Sequence, residues 1–267
     1  MERFSVRNGF QNLSVDSEWR TATKTRIWQV FAKHTVLNKN SNKYDIVEDL
    51  LSYFGQSYEY SQSPFDHREN VQLLKNYISS KAKWFEVADF IEYSIANIDN
   101  QAEALEIDYN RVLDDEATEH HIIAGVVTPL SNQAEIVTVE EAYVNSPQHI
   151  AESIKKALKL YSNFEKPDYN NAVKEMITAV ESLCCTIVDG EENTLGAAVN
   201  KLSAHGIELN EYLSDAIKKL YKYTCNEEGI RHGGTELKDV PIEDARFMIV
   251  ICSAIINYLV AKWGKTV

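Results

Sequence analysis

The sequence predicts a mainly α-helical protein with an N-terminal α+β domain, which contains a small β-hairpin, and a C-terminal helical bundle. Three observations predict this. Apolar side chains recur at helical spacing through most of the 267 residues, a β-branched stretch of period two occurs near residues 121–139, and the helical period returns after residue 146. A chain of this length holds two domains of ordinary size. We place them at residues 1–145 and 146–267.

The first domain begins with helices whose apolar residues fall on a single face. They are predicted at residues 17–36, 45–54, 68–79, 84–98 and 100–116. The hairpin follows. Residues 121–128 are apolar and β-branched, residues 129–133 turn the chain, and residues 134–139 form a second strand-like segment.

The second domain is predicted to be helical throughout. Ser146 is an expected N-cap, with Pro147 at the first position of a helix that runs to about residue 164. Asp168 is the expected cap of the next helix. The later helices are predicted at residues 168–188, 194–202, 209–224 and 241–263. The last of these is apolar on most sides, so we expect it in the middle of the bundle.

Composition excludes several classes of protein. The net charge of −13 argues against broad coating of nucleic acid, and since the acidic excess lies mostly in residues 1–145, a polyanion contact is expected to be local and in the second half. The four cysteines form no CxxC pair, which predicts a reduced, cytoplasmic protein without bound metal or cofactor. The apolar run at residues 247–260 is predicted to be too short to cross a membrane.

One turn, at residues 226–234, combines the residue types of a phosphate-recognising site. Gly229, Gly233 and Gly234 let backbone approach a ligand closely. Arg231 supplies a forked, permanently charged phosphate binder, and His232 can move a proton near neutral pH. Together they suit the attack of a ribose 2′-hydroxyl on the adjacent phosphate. The alternative is a helix-capping turn with an incidental histidine.

Other candidate residues also have two interpretations. Lysines just before the turn either bind RNA phosphates or are solvated cations at a helix C-terminus; they are Lys218, Lys219 and Lys222. Glu181 is either an exposed helix position or a partly buried carboxylate that supports the turn by orienting it. His120 and His121 are adjacent before a strand and point to opposite faces, so we expect no shared metal.

The C-terminal pattern resembles the HEPN superfamily, and most closely the HEPN-like C-terminal domains of abortive-infection proteins. The residues that carry the resemblance are the helical stretch 179–183 and Asn226-x-x-Gly229-x-x-His232-Gly233 before a final apolar helix. The first half resembles the AbiJ-type N-terminal domain of bacterial phage-defence proteins. Its matching stretches are residues 4–10, 20–28, 84–92, 110–113, 125–130 and 135–136.

The resemblance implies a homodimer through the C-terminal bundle and metal-independent RNA cleavage. In the enzyme hypothesis that follows, His232 is the acid/base, Arg231 binds the phosphate and Asn226 is the positioning residue. The sequence departs from the HEPN motif at Cys225, which stands where the family has an arginine. Two alternatives follow: Arg231 replaces that arginine, or the domain binds RNA or a partner without cutting.

The function that these resemblances imply is abortive-infection defence against phage, with the HEPN-like domain as an RNA-directed, endoribonuclease-like toxin. The alternative is a non-catalytic, dimerising interaction or sensor module of a defence system. Either function implies a further partner or a phage trigger, and neither involves a membrane.

Overall fold

The structure is a computed structural model that describes residues 19–36, 43–58, 64–98, 100–163, 167–190, 192, 194–225 and 240–264. Contacts divide the chain into an N-terminal unit, residues 1–131 with 163–166, and a C-terminal unit, residues 132–162 with 167–267. The described residues are mostly helical and include one small antiparallel hairpin, so the predicted mainly α fold is confirmed.

The helices of the N-terminal unit lie close to their predicted positions. They are α1 (Thr21–His34), α2 (Lys43–Tyr53), α3 (Pro64–Asn76), α4 (Trp84–Asn97) and α5 (Ala102–Asp115). A π-helical segment, Tyr77–Lys81, follows α3. Aromatic side chains from α1 and α4 fill the core: the Phe31 ring centroid lies 5.4 Å from that of Trp28 and 4.9 Å from that of Phe90.

The hairpin is tighter than predicted. Strands β1 (His121–Ile123) and β2 (Val126–Thr128) both lie within the segment that we predicted as one strand. The turn consists of Ala124 and Gly125, whose φ angles of 57° and 72° are those of a type I′ turn. The predicted turn at residues 129–133 is therefore wrong. Glycine at the second turn position was the signal for the correct turn, because it adopts positive φ without strain.

Side chains from neighbouring helices bind both edges of this hairpin. On the β1 edge, the Asn110 amide donates to the Ile122 carbonyl at 2.8 Å, and the Ile122 N–H donates back to Asn110 Oδ1 at 2.7 Å. On the β2 edge, the Val127 N–H donates to Glu92 Oε1 at 2.9 Å. A two-stranded hairpin has two open edges, and here α5 and α4 supply their hydrogen-bond partners.

A second correction concerns the predicted strand at residues 134–139, which is part of helix α6 (Gln133–Asn145). The Asn132 side chain accepts hydrogen bonds from the Ala134 and Glu135 N–H groups and so caps the helix. The β-branched run favoured a strand by local preference. Packing decided otherwise, because Ile136, Val139 and Ala142 recur at helical spacing and are all buried.

The C-terminal unit is a bundle that includes α6. Its other helices are α7 (Gln148–Tyr161), α8 (Tyr169–Ile187), α9 (Leu195–Lys201), α10 (Glu211–Cys225) and α11 (Ile242–Trp263). Asp168 caps α8 as predicted, since its carboxylate accepts the Asn171 N–H at 3.1 Å. Ser146 is not the N-cap of α7. Its hydroxyl donates to the Ala142 carbonyl at the end of α6, and Pro147 precedes α7 instead.

Helix α11 packs against both α6 and α8. By length and composition alone this helix of 22 residues could cross a bilayer, and it is partly buried inside the protein. The apolar run that we expected to be too short, residues 247–260, is the middle part of this longer helix. Polar contacts tie the helix into its unit: the Asn257 amide donates to the Thr138 carbonyl of α6 at 2.9 Å.

The predicted division at residues 145 and 146 coincides with the C-terminal end of α6, whereas the contacts group α6 with the residues that follow it. Three cysteines whose side chains are described, Cys184, Cys185 and Cys252, are free thiols. Burial raises the pKa of Cys184 and of Cys252 to about 12, so both stay protonated at neutral pH.

Candidate functional site

The predicted phosphate-recognising turn lies outside the described residues, which resume at Val240 after Cys225. Its candidate residues are Asn226, Gly229, Arg231, His232 and Gly233. Both flanks of this stretch are described. Helix α10 ends at Cys225 directly before it, and α11 begins at Ile242 shortly after it. The geometry of the candidate site therefore comes from these two flanks and from the helices that hold them.

Two hydrogen bonds fix these flanks within the C-terminal unit. The Tyr223 hydroxyl, in the last turn of α10, donates to Asp244 Oδ2 in the first turn of α11 at 3.3 Å. The Val240 N–H donates to Asn170 Oδ1 in the first turn of α8 at 2.8 Å. The end of α10 and the start of α11 thus lie at the same end of the bundle, beside the first turn of α8.

The three candidate lysines lie on α10, within its last two turns. Lys219 and Lys222 are exposed, and Lys218 is half-buried, with its Nζ 3.7 Å from Asp215 Oδ1. An ion pair at this distance near the surface contributes little energy. Lys219 and Lys222 are thus exposed cations near the end of α10, and their contact with a phosphate stays a prediction.

A polar cluster that the sequence did not predict lies in the first two turns of α11 and the helices around it. The Arg246 guanidinium contacts Glu135 Oε2 through Nε at 2.8 Å and through Nη2 at 2.5 Å. Tyr161 and Tyr169 pack nearby, with ring centroids 5.7 Å apart. Burial raises the pKa of Tyr161 to about 12, so its hydroxyl stays protonated at neutral pH.

This cluster bears on which arginine is available to a ligand. The C-terminal unit contains two arginines, Arg231 and Arg246. Arg246 is engaged by a carboxylate on α6, which the sequence reading had placed in a strand. The charge of the Arg246 guanidinium is thus already neutralised by Glu135, and phosphate binding by Arg231 stays a prediction.

Glu181, the candidate supporting residue, is half-buried on α8. Its Oε1 accepts the Leu195 N–H at 2.9 Å, so the carboxylate holds the first residue of α9. It lies in an open cleft of about 540 Å³ with Cys185, Asp189 and Glu192. A cleft lined by three carboxylates does not suit an anion. The role of Glu181 in orienting the turn stays a prediction.

The adjacent histidines have separate roles in the N-terminal unit. His121 is buried in β1, with Nδ1 3.4 Å from Asp114 Oδ1. The His120 ring packs 4.9 Å from Trp84 and 6.0 Å from Trp19, centroid to centroid. Both His120 ring nitrogens are buried without a hydrogen bond to any described residue. Burial lowers the pKa of His120 to about 4, so the folded protein keeps this ring neutral.

This burial gives an expected pH dependence. The unfolded chain protonates His120 below pH 6.5, whereas the folded protein does so only below about pH 4. His120 therefore does not lower the free energy of unfolding of the N-terminal unit above pH 6.5. As the pH drops towards 4, protonation of His120 in the unfolded chain lowers this free energy by roughly 2–3 kcal/mol. His120→Phe keeps the ring packing and should remove this part of the loss.

Urea unfolding at pH 7 and pH 4.5 measures the difference. Tryptophan fluorescence reports mainly the N-terminal unit, because Trp19, Trp28 and Trp84 all lie there. His121→Phe, beside an ion-pair partner, serves as the comparison. Equal losses of stability in wild type and His120→Phe would show that His120 is not responsible.

Comparison with known proteins adds one match. Residues 2–145 match the family model described as AbiJ N-terminal domain 4. No curated protein and no solved structure is significantly similar to the chain. The match covers more than half of the chain and includes the whole hairpin and its flanking helices.

Proposed function

Because the chain belongs to the AbiJ N-terminal domain 4 family, we propose that it is an abortive-infection defence protein that acts against phage through an RNA-directed C-terminal unit. The family membership is the observation that carries the defence role. In abortive infection the infected cell is sacrificed. A protein that damages the host's own RNA would bring this about.

The chemistry of the C-terminal unit supports RNA as the target. Exposed Lys219 and Lys222 provide cations on the approach to the predicted turn, in a protein with a net charge of −13. Of the unit's two arginines, Arg246 is engaged by Glu135. In this proposal Arg231 holds a phosphate, Asn226 positions the ribose and His232 transfers the proton, as in a metal-independent endoribonuclease of the HEPN-like type. A cytoplasmic location belongs to the same proposal.

A phage-plating experiment tests the role in defence. Bacteria that express the full chain are infected with a panel of phages, and plaque numbers are compared with those for His232→Ala. We expect the wild type to reduce plaque formation and the variant to lose this protection. His149→Ala is the matched control, because His149 is an exposed histidine of the same unit that contacts Thr186 at 3.2 Å. Equal protection by His232→Ala would favour the interaction or sensor module instead.

The proposal includes a homodimer that forms through the C-terminal unit. Helices α6 and α11 expose large apolar side chains: Val144 is 74% exposed, Phe247 57% and Tyr258 37%. Covering such side chains in a second copy removes apolar surface from water. We expect sedimentation at micromolar concentration to show a dimer that Phe247→Asp converts to a monomer. Ile107→Asp, an exposed apolar position of the N-terminal unit, should leave the dimer intact. A monomeric wild type would contradict the proposal.

A further inference from the structure

Helix α10 carries two tyrosines and two lysines on its exposed side. Tyr212, Lys219 and Tyr223 are spaced by seven and four residues, so they lie nearly in line along the helix. Tyr212 is 83% exposed and Tyr223 39% exposed, and Lys219 is exposed between them. Lys222 is also exposed and precedes Tyr223. At 1.5 Å per residue, the line from Tyr212 to Tyr223 is about 16 Å long.

The opposite face of α10 holds the helix in the bundle. Ile217 is buried, and Tyr221 is half-buried. Packing therefore does not explain why two tyrosines lie on the outer face, one of them almost fully exposed. The Tyr223 hydroxyl bond to Asp244 limits the movement of that ring without covering it. Burial and the Asp244 charge raise the pKa of Tyr223, so the ring stays neutral at neutral pH.

Exposed aromatic faces interleaved with cations are the features of a surface for single-stranded nucleic acid. Bases stack on aromatic rings, and lysines bind the phosphates between them. A duplex cannot use the rings, because its bases are already stacked. Among the described residues, the acidic side chains near this face are Glu211 and Asp215 on α10, with Asp215 between Tyr212 and Lys219, and Asp244 beside Tyr223. In the described part of the helix the cations therefore dominate its C-terminal half.

We propose that the exposed face of α10 is a track for single-stranded RNA, on which Tyr212 and Tyr223 stack two bases while Lys219 and Lys222 bind the intervening phosphates. This inference rests on the proposed function and names the form of its substrate. The track lies on described residues of α10, so RNA binding there is a property separate from the proposed chemistry at His232.

Binding of a fluorescent 2′-O-methyl oligouridine to the full chain tests the track. This probe lacks the free 2′-hydroxyl that cleavage needs. We expect Tyr212→Ala and Tyr223→Ala each to weaken binding by roughly 5- to 150-fold, the range for loss of one stacked base. Tyr212→Phe should bind the oligonucleotide as tightly as the wild type does, since stacking requires the ring face and not the hydroxyl. Lys219→Gln should lower the slope of log affinity against log salt concentration by about 0.7, as for the loss of one phosphate contact on a single strand.

A matched control comes from another helix of the same unit. Lys159→Gln removes an exposed lysine of α7 and should bind as the wild type does. A duplex of the same length should bind more weakly and should be insensitive to Tyr212→Ala.

Each contrary result has a defined meaning. Binding that is unaffected by both tyrosine variants, or a duplex bound as tightly as the single strand, would overturn the track. So would a wild-type protein that protects against phage but binds no RNA. If the track variants behave as expected while His232→Ala still protects against phage, the track stands and the proposed role of His232 in defence fails.

Discussion

Replacement of His232 by alanine is expected to slow RNA cleavage by roughly 10²–10⁴-fold while RNA binding stays nearly unchanged. This is the usual size of the effect when a general acid or base is lost. The physical reason is that, in the proposed function, the imidazole transfers a proton in the transition state, whereas cations elsewhere in the unit hold the RNA. The measurement compares cleavage of total RNA and binding of a non-cleavable oligonucleotide for wild type and variant.

Arg231→Ala provides the contrast, because it is expected to lose both properties. A guanidinium that makes charged hydrogen bonds to a phosphate contributes about 1.5–3 kcal/mol to binding. His149→Ala, on the exposed surface of α7, should retain both cleavage and binding. A wild-type protein that neither cuts nor binds RNA, and whose two variants equal it in toxicity and phage protection, would leave the non-catalytic interaction module as the function.

Replacement of Asn110 by alanine is expected to destabilise the N-terminal unit by roughly 2–6 kcal/mol. The Asn110 amide makes two hydrogen bonds with the Ile122 backbone, at 2.8 and 2.7 Å, and all of these atoms are buried. Ile122 pairs with Val127 across the hairpin, at the position where backbone groups of an antiparallel pair point outwards. Truncation leaves a buried N–H and a buried carbonyl without partners, each at a cost of about 1–3 kcal/mol.

Urea unfolding followed by tryptophan fluorescence measures this effect in the unit that contains Asn110. Asn97→Ala is the control: Asn97 also donates from its side chain to a backbone carbonyl, that of Tyr93, but it is exposed at the end of α4. Its loss should change stability by no more than about 0.5 kcal/mol. If Asn110→Ala is as mild as Asn97→Ala, the hairpin edge does not depend on this side chain.

The positions of most helices followed from the sequence because apolar spacing reports directly which face is buried. The region between residues 121 and 145 shows where this reasoning stops. Ala124 and Gly125 formed the turn within an apolar run, and the β-branched residues of α6 adopted a helix because Ile136, Val139 and Ala142 face the core of the C-terminal unit. Local preference could not supply that tertiary contact.

The candidate site was less accessible to sequence reasoning. The lysines of α10 were found as a charge pattern near a helix end. The ion pair of Arg246 with Glu135 joins residues more than a hundred positions apart, and no local signal links them. Tyr212 and Tyr223 are unremarkable in the sequence, because a tyrosine is as often a core residue as an exposed one. Their importance depends on exposure, which only the packed bundle reveals.

The packing of α6 has a consequence for how such proteins recombine. The family match extends to residue 145 and so includes α6, yet this helix buries its apolar side in the bundle that follows. A chimera joined at residue 145 would combine α6 of another protein with this bundle. It would lose the buried side chains of Ile136 and Val139, and it would lose Glu135, the partner of Arg246. A joint near residue 131 keeps α6 with its own bundle. We therefore expect exchange of the N-terminal unit between members of this family to be easiest just after the hairpin.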